Sequence, residues 1–126
     1  KRIKKFLKSR KTYELLISLH EGPRKTFCLY DTGLGENSKM IKNIFKLVKN
    51  SGIKLFTGVE DAGLKSFARN GYIPVEPNDL SPTLEEYSSR NGITKKVLTI
   101  EIPGKLPLNK KIDLCESILK TIFKKY

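Results

Sequence analysis

Short apolar runs alternate with amphipathic stretches along the whole chain, separated by Gly-, Pro- and Asn-containing turns. Over residues 1–10, Ile3, Phe6, Leu7 and Arg10 recur at a spacing of three to four with Lys between them, which predicts the end of an amphipathic helix. Glu14 to Leu19 (ELLISL) is an apolar run closing on His20, and its length and isoleucine content predict a buried strand. Glu21-Gly22-Pro23-Arg24 reads as a turn, Thr26 to Tyr30 (TFCLY) as a second strand, and Asp31 to Gly35 as its break.

The period then changes. Asn37 or Ser38 caps a helix of about three turns, with Met40, Ile41, Ile44, Phe45 and Val48 as its apolar stripe. Lys39, Lys42, Lys46 and Lys49 face water, and Ser51-Gly52 ends it. Ile53 to Phe56 is a candidate short strand, and Gly58 to Pro77 a mixed loop with a candidate short helix around Leu64 to Arg69. Ser81-Pro82, with acids in the first turn, starts a helix that stops at Asn91-Gly92. Lys96 to Ile102 (KVLTIEI) alternates and is β-branched, hence a strand. After a Pro103–Pro107 loop, the last helix runs from about Leu108, with Ile112, Cys115, Ile118, Leu119, Ile122 and Phe123 on its buried stripe. Alternating helices and strands predict an α/β layered fold over residues 1–126, a single domain or a piece of one.

Composition narrows the function classes. No apolar run approaches the about 20 residues needed to span a bilayer, and no signal-peptide core follows the basic N-terminus. The two cysteines, Cys28 and Cys115, sit in apolar stretches as small buried hydrophobes, which favours a cytoplasmic setting, and the absence of any Cys-x-x-Cys or Cys/His cluster excludes a zinc finger. The net charge of +12 comes from 20 Lys and only 5 Arg. Arg is the better bidentate reader of phosphate and bases, so the Lys excess reads first as solvated helix faces, not a nucleic-acid surface. Gly33-Leu34-Gly35 lacks the third glycine or the Gly-Lys-Ser/Thr of a phosphate loop and reads as a turn.

Two residues carry candidate chemistry. His20 is the only histidine, and it closes an apolar strand beside a turn, where α/β sheets place ligands; a hydrogen-bonded core role is the alternative. Glu101 lies between Ile100 and Ile102. A buried carboxylate needs a partner, a metal or a chemical task, whereas a Glu on an edge strand would simply face solvent.

At these residues the chain resembles the zinc carboxypeptidases, in particular the short prokaryotic carboxypeptidase and murein peptide amidase-like branch. Ile17-Ser18-Leu19-His20-Glu21-Gly22, with Phe27 to Asp31 close behind, is similar to that family's second-histidine segment. Leu98 to Gly104 is similar to its catalytic-glutamate strand, and the final helix follows in the expected place. The resemblance implies a mixed, mostly parallel sheet with flanking helices, forming the C-terminal part of a zinc carboxypeptidase-like catalytic domain. It implies hydrolysis of a peptide-type amide in a peptide or small-molecule substrate. His20 would be one zinc ligand, and Glu101 the general base that takes a proton from water and passes it to the leaving amine. Tyr87 would correspond to the substrate-capping tyrosine, against the simpler reading that it packs under its loop.

The family's His-x-x-Glu zinc pair, its substrate-carboxylate arginine and its Asn-Arg pair have no match, and one His cannot supply the three protein ligands of a catalytic zinc. Three readings follow: part of a longer enzyme, which the Lys1 start favours; a half completed by a second chain; or a degenerate, non-catalytic relative. A basic binding module for nucleic acid or another polyanion is the alternative from a different class, and a deacylase of the same superfamily is a second enzymatic one.

Overall fold

A computed structural model describes residues 14–59, 67–68, 70–76, 94 and 96–124. Its elements are β1 (Leu16–Gly22), β2 (Cys28–Thr32), α1 (Lys39–Asn50), β3 (Gly58–Val59), β4 (Phe67–Ala68), β5 (Tyr72–Pro74), β6 (Val97–Pro103) and α2 (Leu108–Phe123). The helices expected at 1–10 and after Ser81, and Tyr87 with the second, lie outside the described residues.

The main sheet has the order β1-β6-β2-β5. β1 pairs with β6 and β2 with β5 in parallel, while β2 and β6 run antiparallel. The sheet is therefore mixed and mostly parallel, as expected. β6 alternates Leu98, Ile100 and Ile102 on one face with Thr99 and Glu101 on the other, as the period of two requires. The first face forms the principal core with Phe27, Leu29, Ile41, Ile44, Val48, Leu114, Ile118 and Ile122, so α1 and α2 both pack there. A smaller cluster of Cys28, Ile73 and Val75 lies apart from it.

The strand boundaries differ from the sequence expectation by about two residues. β1 starts later and runs on to Gly22, because β6 pairs with it residue for residue from Leu16↔Val97 to Gly22↔Pro103. β2 likewise runs through Asp31 and Thr32, which the sequence assigns to the break. The strand expected at Ile53–Phe56 is reduced to a parallel bridge between Leu55 and Phe27, closed by Phe27 N–H to Lys54 O and Phe56 N–H to Phe27 O (both 2.9 Å). Phe67–Ala68, expected in a short helix, pairs with Gly58–Val59 as a strand.

α1 follows the expectation closely. The Ser38 hydroxyl accepts from Ile41 N–H (3.2 Å) as N-cap, and Gly52 takes the left-handed backbone (φ 77°) just past the end. In α2 the buried stripe is Leu114, Ile118 and Ile122, with Cys115 and Leu119 half-buried beside it. Ile112 and Phe123, expected in that stripe, are 49% and 62% exposed. At about 3.6 residues per turn both fall roughly 100° or more from the line through 114, 118 and 122.

Among the described residues no helix is long and apolar enough to cross a membrane. Neither cysteine is in a disulfide: Cys28 is buried, and burial, with Glu21 adding to it, pushes the Cys115 thiol above its ordinary range. Thiolate is the reactive form, so both thiols of the folded chain should react slowly with a disulfide reagent at neutral pH and quickly once unfolded. One fast-reacting equivalent in the folded state would contradict this arrangement.

Candidate functional site

The pairing register brings the sequence-predicted residues together. His20 on β1 lies directly beside Glu101 on β6, and Cys28 on β2 lies directly beside Glu101 on its other side. Directly paired residues project to the same face, here the face turned away from α1 and α2. His20, Glu101 and Cys28 thus form a row across three strands. The row sits near the C-terminal ends of β1 and β6, between the β1–β2 turn and the β6–α2 turn.

Glu101 is not on an edge strand. β6 is flanked on both sides, and the Glu101 side chain is 22% exposed. Its carboxylate is held from two directions. The Cys28 thiol donates to Oε2 at 3.2 Å, and Arg24 Nη1, from the β1–β2 turn, lies 3.8 Å from the same oxygen. The guanidinium also stacks on the Phe56 ring, 4.1 Å from its centroid, which fixes Arg24 in turn. His20 is exposed, so the core-histidine alternative is set aside; its Nε2 is hydrogen-bonded to Ser18 Oγ at 2.8 Å, two residues earlier on the same face.

Cys28, Arg24 and Gly22 are site residues that sequence reasoning missed. The period of two in FCLY separates Cys28 from Phe27 and Leu29, which is the signal that placed it on the other face; nothing in the sequence links Arg24 to Glu101. A Cβ on Gly22 would lie 3.4 Å from Glu101 Oε2, so Gly22 leaves room beside the carboxylate.

Gly104 ties the chain just after β6 to the end of β1. Its N–H donates to Gly22 O at 2.8 Å, and a Cβ there would run into that same carbonyl oxygen. Gly104→Ala should force the ends of β1 and β6 apart at a cost of about 1–3 kcal/mol, typical of overpacking. Thermal unfolding of the variant checks this, and a midpoint unchanged from wild type would contradict it.

The described residues do not by themselves fit a catalytic zinc. Such a site takes three protein ligands, and among the described residues no group of three or more His, Cys, Asp or Glu is placed to hold a metal. His20 is the one histidine of the chain. Tyr87 lies outside the described residues.

No protein-family model and no curated protein sequence matches the chain. Its fold, however, is similar to two solved structures. One is a "putative metallopeptidase" from Shewanella amazonensis SB2B, with a TM-score of 0.66 and 17% identity over 86% of this chain. The other is a "putative metallopeptidase" from Shewanella denitrificans OS217, with a TM-score of 0.66 and 14% identity over 83% of this chain. The chain spans only 39% and 38% of those two proteins. At these identities the likeness is one of fold.

Proposed function

We propose that this chain contributes to a metal-dependent amide hydrolase of carboxypeptidase or amidase type, with Glu101 as general base and His20 as one zinc ligand. The observation that carries the reading is the register: the two residues singled out in the sequence stand side by side on adjacent parallel strands, at the strand ends where α/β sheets place their chemistry. The fold shared with two proteins described as metallopeptidases supports it.

The chemistry assigned to the chain's own residues is proton transfer. Glu101 takes a proton from the attacking water as its oxygen bonds to the amide carbon. It returns that proton to the nitrogen as the C–N bond breaks, leaving a carboxylic acid and a free amine, between which the acid proton then passes to give carboxylate and ammonium. Arg24 and Cys28 both engage Oε2 and so orient the carboxylate. The remaining metal ligands lie outside the described residues, in this polypeptide or in a second chain. Tyr87 is retained as the residue that closes over bound substrate.

The native gene product carrying this chain, assayed on short peptides and N-acyl amino acids, should release free amine in a chelator-sensitive reaction. His20→Ala should abolish it. Hydrolysis that survives both chelation and His20→Ala would overturn the reading.

A further inference from the structure

We propose that the exposed face of α1 is a sequence-independent docking surface for the phosphodiester backbone of nucleic acid. Lys39, Lys42, Lys46 and Lys49 are all exposed and follow one another at spacings of three, four and three residues. That spacing puts them in a single stripe about 15 Å long, at about 1.5 Å of rise per residue. The 12 residues of α1 contain no Asp or Glu. Like charges three or four apart on a helix repel where no acid intervenes. Among the described residues the ion pairs are Arg24–Glu101 and Lys111–Glu21, and neither involves the stripe.

Two clefts adjoin the stripe, each lined by polar donors alongside apolar side chains such as Met40 and Leu47 in one and Phe45 and Leu55 in the other. One cleft of about 620 Å³ lies where the last turn of α2 meets α1, lined by Lys39, Asn43, Lys46, Asn50, Thr121 and Lys124. A second of about 630 Å³ takes in Lys42, Lys46, Lys49, Asn50 and Asn70, with Glu36 its single carboxylate. Lys46 and Asn50 belong to both, so the two clefts flank one basic ridge. Ammonium, amide and hydroxyl donors in this arrangement are the groups that bind phosphate and sugar oxygens.

The same helix disfavours a membrane as the anionic partner. A helix lying on a bilayer inserts an apolar face, but Met40, Ile41, Ile44 and Val48 are all buried against the sheet. What α1 offers outward is charge and amide. Lysine is a point charge rather than a planar fork, so it contacts phosphates without reading bases. This qualifies the expectation that the Lys excess is only a solvated face: α1 itself holds no acid, Glu36 is the one carboxylate lining the two clefts, and both clefts adjoin the stripe.

The inference is independent of the hydrolase reading, because α1 packs on one face of the sheet and Glu101 projects from the other. The test is fluorescence anisotropy of labelled duplex DNA of two unrelated sequences, titrated with the chain at several salt concentrations. Counterion release predicts a slope of log affinity against log salt near −0.9 per phosphate engaged, hence about −3 to −5 for four or five lysines. The quadruple variant K39Q/K42Q/K46Q/K49Q should fold normally, since Gln and Lys have similar helix propensity, and circular dichroism confirms this. It should lose at least about tenfold in affinity at low salt and flatten the slope by about one per lysine. Lys25→Gln with Lys105→Gln, in the turns beside Glu101, should leave both unchanged, as should Glu101→Gln. The inference is overturned by absent DNA binding at low salt or by a slope that the quadruple variant does not change. Binding to vesicles containing phosphatidylserine without binding to DNA overturns it equally.

Discussion

Glu101→Gln is expected to lower the turnover of amide substrate by about 10²–10⁴-fold, the range associated with loss of a positioned general base. The amide side chain keeps the size of the carboxylate and an oxygen that still accepts from the Cys28 thiol, which donates at 3.2 Å. What it loses is the ability to carry a proton. The loss should therefore fall on kcat with KM little changed, the signature of an interaction made only in the transition state. Stability should change little. The pair with Arg24 at 3.8 Å is partly solvated, and such pairs contribute about 0–1 kcal/mol. Steady-state kinetics and thermal unfolding of the same variant separate the two effects. A variant that unfolds as wild type does and retains full kcat would remove Glu101 from the chemistry.

The second large effect falls on the fold. Asp31 is 3% exposed at the end of β2 and accepts three hydrogen bonds. Leu34 N–H donates to Oδ1 at 3.1 Å, Gly35 N–H to Oδ2 at 2.7 Å, and the Tyr72 hydroxyl to Oδ2 at 2.7 Å. One carboxylate thus fastens the turn after β2 and the first residue of β5. Asp31→Ala strands a buried hydroxyl and two N–H groups at once. Each stranded buried group costs about 1–3 kcal/mol, but the Gly35 side of the turn is exposed and can rehydrate. A net loss of about 3 kcal/mol, or roughly a hundredfold in the folded-to-unfolded ratio, is expected. Tyr72→Phe should cost about 1 kcal/mol, and the double variant less than the sum, because both act on one contact. Denaturant unfolding of the three variants checks this; strict additivity would show that the hydroxyl and carboxylate act separately.

How legible these features were differs from residue to residue. α1 could be read in full, because its stripe, Ser38 cap and Gly52 stop are local signals that packing did not override. The β6 alternation was equally plain, but alternation fixes faces and not neighbours. Whether Glu101 stood on an edge or in the interior depended on β1 and β2 flanking β6, which is a long-range fact. β1 and β2 each shifted by about two residues because strand limits are set by partners, not by the run of apolar residues. Ile112 and Phe123 read as core residues from their apolar character, although the helix turns them away from the 114–118–122 line. Asp31 read as part of a break, since a buried Asp is recognisable only once its three donors are in place.

The likeness to two metallopeptidase folds covers under two-fifths of their length. A hydrolase of the proposed type requires that His20 bind metal in the native protein. The measurement is the metal content of the native gene product by plasma mass spectrometry, with His20→Ala and Glu101→Gln beside the wild type. Stoichiometric zinc is expected in the wild type and in Glu101→Gln, with its loss in His20→Ala. Zinc absent from all three, or retained in His20→Ala, would contradict the hydrolase reading.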